Sequence, residues 1–186
     1  MSTPHLAFSP VSRVLHWTMA VMLVAMLFIG VGMASTVSTR YALLVSIHKP
    51  LGIAILVLVV IRLVNRLLKP PPPLPVDLPV WQQRLAKRSH YLLYGLMVVM
   101  PLIGWGMLSA APYPVVLLGT LHLPPILPHN AILYSWLRQA HTSLAYLFFA
   151  TFLVHAGAAL FHGLIRRDGV LQSMASLHTE EVREDA

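Results

Sequence analysis

The stretch IHKPLGIAILVLVVIRLVNRLLKP, residues 47–70, decides the fold that the sequence predicts. It is long and apolar enough to cross a lipid bilayer, which takes about 20 helical residues. It nevertheless begins close to His48 and carries Arg62 fourteen residues later. Polar side chains at membrane depth are costly and tend to be functional. The stretch therefore predicts a transmembrane helix whose two polar side chains need either partners or a route to water.

The composition extends this interpretation to the whole chain. Of its 186 residues, 57% are hydrophobic and only 10% are charged, whereas soluble domains carry about 25% charged residues. The absence of cysteine excludes disulfides and thiolate ligands. The net charge of +7 comes from residues that flank apolar runs instead of forming a basic stripe. We therefore expect a lipid bilayer as the partner, and no nucleic acid.

Four apolar runs are long enough to span a bilayer. They predict an all-α integral membrane protein, a four-helix bundle in up-down-up-down order. We expect a transmembrane domain over residues 1–168 and a polar cytoplasmic tail over residues 169–186. Ser9 and Pro10 have the pattern of an N-cap and a first helical residue. The spans lie near residues 11–34, 43–67, 89–110 and 132–165.

The distribution of Lys and Arg predicts the orientation. Ten of these residues lie on the side of the N-terminus, and the three on the other side are Arg40, Lys49 and Arg138. Because positive charge is retained in the cytoplasm, both termini should be cytoplasmic. A proline-rich connector at residues 69–79 should be stiff and extended. The apolar outer loop, residues 111–131, should lie on the membrane surface or cap the bundle.

The fourth run carries the most informative of the ten histidines. His141 and His155 are fourteen residues apart, which keeps them on nearly one helix face and separates them by roughly 21 Å along the axis. In the alternating topology, His16 lies at the depth of His155 and His48 at the depth of His141. The spacing thus predicts a lower pair, His16 with His155, and an upper pair, His48 with His141. Facing neutral imidazoles suit the two axial positions of a haem iron.

Several neighbouring residues fit the same arrangement. Because Arg62 follows His48 by fourteen residues, it should lie at the level of the lower pair, where a guanidinium can clamp a haem propionate. Lys49 could serve the upper level in the same way. Gly30 and Gly52 lie at the depth of the upper pair and would leave room for a flat macrocycle. Simpler interpretations of these residues exist. The side chain of a membrane arginine can extend to the membrane surface, and glycines also let helices approach closely.

Other side chains leave alternatives open. His162 follows His155 by seven residues and is a rival lower ligand, although it adjoins the basic boundary of the membrane. His90 opens the third run near the cytoplasmic surface. His90 and His162 are candidates for proton handling or quinone binding, while an interfacial side chain is the plainer interpretation of His90. Methionines at helical spacing, such as Met19 and Met22, favour packing over copper binding.

These residues resemble the bacterial, four-helix cytochrome b561 family. The matching segments are SRVLHW with His16, SIHKPLGIAILVLVVIRL with His48 and Arg62, and RQAHTSLAYLFFATFLVHAGAALFH with His141 and His155. LYGLMVVMPLIGW in the third run and LLGTLHLPP in the outer loop also match. The resemblance implies an integral inner-membrane protein with two haem b groups. The lower pair would hold the cytoplasmic-side haem, and the upper pair the periplasmic-side haem.

The resemblance also implies a function. Members of this family move electrons between periplasmic redox partners, small molecules or proteins, and the membrane quinone pool, and some oxidise superoxide. We therefore expect a quinone-linked membrane oxidoreductase, or a pure electron carrier, in the bacterial inner membrane. One alternative is a haem-containing membrane subunit that anchors a partner enzyme. The other is a histidine-based proton channel or solute transporter, but the sequence lacks the internal repeats typical of transporters.

Overall fold

The computed structural model describes residues 7–73, 78–117 and 119–175 of the chain. Four long helices dominate it, and each is long and apolar enough to cross a membrane. The prediction of a four-helix membrane bundle is therefore confirmed. The helices are α1 Pro10–Ser35, α2 Arg40–Leu68, α3 Val80–Ala110 and α4 Ala131–Leu160. A π-helical segment, Phe161–Arg166, continues α4 and is followed by the short helix α5, Val170–Ala175.

Local sequence explains where the helices begin. The Ser9 side chain accepts a hydrogen bond from the backbone N–H of Ser12, and Pro10 is the first residue of α1, as predicted. Asn130 caps α4 in the same way. Helix α3 begins at Val80, nine residues before the apolar run that starts at residue 89. Its first turns are rich in basic and amide side chains, so the polar start of α3 extends the helix beyond the apolar span.

The helices pack in two close pairs. Helix α1 packs mainly on α2 and α3 mainly on α4, while contacts between α2 and α3 join the pairs. Many large apolar side chains face outward instead, and Phe28 is 74% exposed. Such a surface is suited to lipid and not to water. The methionines at helical spacing belong to the packing, and the core consists of Met19, Leu23, Ile55, Val59, Leu93, Leu96, Met97 and Phe148.

The loop between α3 and α4 folds over the end of the bundle. It contains a small antiparallel hairpin whose turn includes Gly119 at φ +77°. The indole N–H of Trp105 donates to the carbonyl of Pro124 at 3.0 Å, and Ser109 Oγ accepts from the backbone N–H of Ile126 at 3.1 Å. These contacts agree with the expectation that the loop caps the bundle; its position relative to a membrane surface stays a prediction. The all-helical prediction missed its two strands, which are β1 Val115–Leu117 and β2 Leu121–Leu123.

The short helix α5 folds back onto α1 and the residues that precede it. The backbone N–H of Phe8 donates to the carbonyl of Ser173 at 3.1 Å. The indole N–H of Trp17 donates to the carbonyl of Met174 at 3.0 Å. Part of the polar tail expected from residue 169 is therefore a docked helix, α5. The rest of that tail, residues 176–186, lies outside the described residues.

Candidate functional site

Two pairs of histidine rings face each other across the bundle. The ring centres of His16 on α1 and His155 on α4 are 6.3 Å apart, with their planes at 80°. Those of His48 on α2 and His141 on α4 are 6.2 Å apart, with their planes at 69°. All four side chains are half-buried. The structure thus brings together the two pairs that the fourteen-residue spacing predicts.

These distances fit a single iron atom between each pair. An imidazole nitrogen binds a metal at about 2 Å, and its ring centre lies roughly 1.1 Å further back, so two coaxial ligands have centres about 6.2 Å apart. In the upper pair, Nδ1 of His48 and Nδ1 of His141 are buried and have no hydrogen-bond partner among the described residues. Buried polar groups normally have one. The donor set therefore fits a metal group that the polypeptide does not itself supply.

Glycines leave space next to the histidines. A Cβ added at Gly30 would meet nothing within 4 Å, and one at Gly52 would meet only Met26 Cε, at 3.7 Å. Gly104 of α3 is closer to the site, because its added Cβ would lie 3.4 Å from His141 Cε1. The sequence interpretation missed Gly104, since α3 supplies neither member of a predicted pair. Because such a Cβ would make an ordinary van der Waals contact with the His141 ring, α3 comes close to the upper pair at this position.

Arg62 lies at the level of the lower pair, as its spacing predicts. Its Nη1 is 2.8 Å from Nδ1 of His16, and its Nε donates to the hydroxyl of Tyr94 at 2.9 Å. Because a guanidinium can only donate, Nδ1 of His16 is the acceptor in this arrangement. Tyr94 was also missed by the sequence interpretation. It belongs to another helix, and no one-dimensional spacing links it to Arg62.

His90 of α3 adds a third imidazole at the lower level. Its ring centre lies 5.2 Å from that of His155, with the planes at 72°. This separation is about 1 Å shorter than two coaxial iron ligands require. His90 therefore neighbours the lower pair without matching the geometry of a second axial ligand. Lys49 is half-buried beside His48, and no ion pair within the described ranges includes it.

His162 takes part in a different contact. Its Nδ1 lies 2.6 Å from Asp168 Oδ2, and the same oxygen is 3.0 Å from Nε of Arg166. His162 is the second residue of the π-helical segment, and its ring contacts Asp168 from there. The sequence interpretation missed this contact because Asp168 lies beyond the apolar run. Where the chain is described, no ring contact joins His162 to the lower pair.

The carboxylate of Asp168 holds this turn together. Burial alone raises the pKa of Asp168, but the hydrogen bond with His162, the backbone N–H of Val170 and the charge of Arg166 more than offset it, so the pKa lies below its usual value. The ionised form is therefore favoured by folding. Its stabilisation is fully present above the pKa of an unfolded aspartate and is lost as the pH falls through the lowered folded-state pKa.

We expect Asp168→Asn to loosen α5. Loss of the charge weakens the contacts with His162 and Arg166 that close the turn before this helix. Hydrogen exchange at residues 169–175, measured at neutral pH, should accelerate by about three- to tenfold. Wild-type protein should show the same acceleration as the pH falls through the lowered pKa of Asp168, after correction for intrinsic exchange. The middle of α4 is the internal control, and equal exchange of residues 169–175 in both proteins would contradict the prediction.

Membrane-spanning helices that hold facing imidazoles define a class of protein, the multi-pass membrane cytochromes. A family model described as prokaryotic cytochrome b561 matches residues 7–176 of this chain. The chain therefore belongs to the prokaryotic cytochrome b561 family. Membership implies a b-type haem and a role in membrane electron transfer.

Curated relatives agree with this assignment. Cytochrome b561 homolog 1 of Escherichia coli (strain K12) is 28% identical over 175 residues, which cover 90% of this chain and 96% of that protein. Cytochrome b561 homolog 2 of the same organism is 29% identical over 171 residues, or 90% of each chain. The probable superoxide oxidase CybB of Yersinia pestis is 32% identical over 132 residues, or 69% of this chain and 72% of that protein.

Proposed function

We propose that this chain transfers electrons across the bacterial inner membrane through two haem b groups. His16 and His155 would hold one haem, and His48 and His141 the other. The observation that carries the proposal is the pair of ring-centre distances, 6.3 Å and 6.2 Å. Electrons would pass between a periplasmic donor and the membrane quinone pool. Superoxide is a candidate donor, because one relative bears the name probable superoxide oxidase.

The residues of the chain determine which chemistry is available. Haem b, when bound, supplies one-electron redox chemistry. Two imidazoles at each level would hold the haem iron from both sides and would leave no position for oxygen, which favours outer-sphere electron transfer. Helix α4 spaces the two levels by roughly 21 Å, so together they reach across much of the apolar layer. The apolar helices keep water away from both.

The charge distribution supports the proposed orientation of the electron-transfer path across the membrane. The excess of Lys and Arg at the end of the lower pair argues that this end faces the cytoplasm. Arg40, Lys49 and Arg138 are at the opposite end, where they would attract an anionic donor such as superoxide. Quinone reduction consumes protons, and we assign their delivery to the cytoplasmic end. His90, with its ring 5.2 Å from that of His155, is the candidate proton-handling residue. His162 is the weaker candidate, because Asp168 already engages it.

Visible spectroscopy and quinone reduction by the purified protein test the proposal. We expect two low-spin haem b groups per chain and reoxidation of the reduced protein by a ubiquinone analogue. A colourless preparation, or a single haem per chain, would refute the two-haem arrangement. Two haems without quinone reactivity in the isolated chain would favour the alternative, a membrane subunit that serves a partner enzyme.

The His90→Gln variant tests the proton-handling role. Its haem content should be that of the wild type, because His90 lies beside the lower pair and not opposite a ligand. Reoxidation by the quinone analogue should slow by at least about tenfold, and its dependence on pH should flatten, because a proton donor has been removed. His129→Gln, in the loop between α3 and α4, is the control. An unchanged rate and pH profile in His90→Gln would remove this residue from the quinone reaction.

A further inference from the structure

A basic cleft opens at the lower end of the bundle. Arg62 and Arg66 line it from one face of α2, four residues apart, and Lys69 lines it from the position that follows this helix. The cleft encloses about 270 Å³, including its open mouth. Its remaining walls come from α1, α2, α3 and the segments that flank α1 and α2. They are Phe8, Ser12, Asn65, Pro71 and Tyr94.

Among the described residues, no counter-ion balances the positive charge of the cleft. Asp168 is the one acidic residue within the described ranges, and it is already held by His162 and Arg166. No carboxylate of the described residues therefore faces the three cations. Like charges three and four residues apart on a helix repel each other. An arrangement of this kind is favourable when an anion from outside the fold completes it.

The walls of the cleft are fixed by polar contacts. Asn65 Nδ2 donates to Ser12 Oγ at 2.7 Å, which ties α2 to α1. Tyr94 accepts a hydrogen bond from Arg62, and the guanidinium of Arg66 lies 5.6 Å from the centre of the same ring. Within the part of the chain that the structure describes, the side chains of Arg66 and Lys69 make no hydrogen bond or ion pair. Their donors are therefore free to bind an anion at the mouth of the cleft.

We propose that this cleft binds the phosphodiester headgroup of an anionic phospholipid. Arg66 and Lys69 lie at the end of α2, where a membrane-spanning helix reaches the lipid headgroups, and basic pockets between transmembrane helices bind such headgroups. Arginine also matches phosphate geometry with paired donors. A neutral quinone ring would leave the charge of the cleft unbalanced. The site is distinct from the haem contacts proposed for Arg62, because Arg66 and Lys69 lie one and two turns further from His16.

Native mass spectrometry of the haem-loaded protein tests this site. The probes are phosphatidylglycerol, phosphatidylcholine with the same acyl chains, and inorganic phosphate. Wild-type protein should retain phosphatidylglycerol in preference to phosphatidylcholine. The double variant Arg66→Gln/Lys69→Gln should bind phosphatidylglycerol about 30-fold more weakly, the change expected when two headgroup cations are neutralised. Arg84→Gln/Lys87→Gln removes two exposed cations of α3 outside the cleft, and it should change binding by less than about twofold.

Four outcomes would overturn the proposal. The first is equal retention of the two lipids by the wild type. The second is an equal loss of binding in the two double variants, which would indicate general surface charge. The third is full displacement of phosphatidylglycerol by millimolar inorganic phosphate, which would make free phosphate the ligand. The fourth is loss of haem from Arg66→Gln/Lys69→Gln, which would assign these cations to the haem. Far-ultraviolet circular dichroism of each variant checks, independently of its haem content, that it remains folded.

Discussion

Purified His155→Ala protein should contain one low-spin haem b per chain, where we expect two in the wild type. His155 faces His16 at 6.3 Å, so its removal leaves one iron with a single axial imidazole. Haem at that level should be lost or become high-spin. The upper pair is separate from this change, because His141 lies fourteen residues from His155 on α4 and faces His48 of α2. The upper haem should therefore keep its spectrum. Haem extraction into pyridine gives the stoichiometry, and an anaerobic redox titration should show one low-spin component instead of two.

The reciprocal variants make this result specific. His16→Ala should reproduce the spectrum of His155→Ala. His48→Ala and His141→Ala should instead both lose the low-spin signal of the upper haem. Added imidazole should restore part of the missing signal, because it can occupy the space left by the side chain. Rescue of this kind separates a lost ligand from a misfolded bundle. Loss of both haems from any one variant that remains folded would break the assignment of pairs.

Two further variants address the rival ligand and the third imidazole. His162→Ala should keep both low-spin haems, because the His162 ring contacts Asp168 and not the lower pair. His90→Gln should keep them as well, since the 5.2 Å separation from His155 is too short for an intervening iron. Loss of the lower haem from His162→Ala would make His162 the ligand in place of His155, and its loss from His90→Gln would make His90 the ligand in place of His16.

The pairing of the histidines could be predicted because helix geometry is regular. A fourteen-residue interval fixes both the face and the depth of His155 relative to His141, and alternating topology then selects His16 and His48. The same reasoning placed Arg62 at the lower level. Each of these steps depends only on the rise and rotation per residue and on the order of the spans.

Contacts between helices were not predictable in this way. The hydrogen bond from Arg62 to Tyr94 depends on the rotation of α3 relative to α2, which no repeat in the sequence encodes. Gly104 beside His141 depends on the same rotation. The contact of His162 with Asp168 follows from a π-helical segment that apolar spacing does not reveal. Hydropathy also marks only the part of α3 that suits lipid, so the helix start at Val80 was missed.

Arg62→Leu should lower the midpoint potential of the lower haem. A guanidinium next to His16 disfavours the more positive, oxidised iron, so removing it favours oxidation. For one charge at an effective dielectric constant near 20, the expected fall is on the order of 50–100 mV. The upper haem, about 21 Å away along α4, is the internal control and should shift much less. Arg62→Lys keeps the charge and should recover much of the potential.

The sign of the change in midpoint potential in Arg62→Leu also distinguishes two ways in which Arg62 could interact with the haem. A histidine that binds iron usually donates its second ring N–H to an acceptor, but a guanidinium accepts nothing. Arg62 would therefore have to turn to another acceptor, such as a haem propionate, or hold His16 in a deprotonated, anionic form. An anionic ligand favours oxidised iron, so losing that effect in Arg62→Leu would raise the potential. A fall supports the propionate clamp, and a rise would show that Arg62 acts through His16 itself.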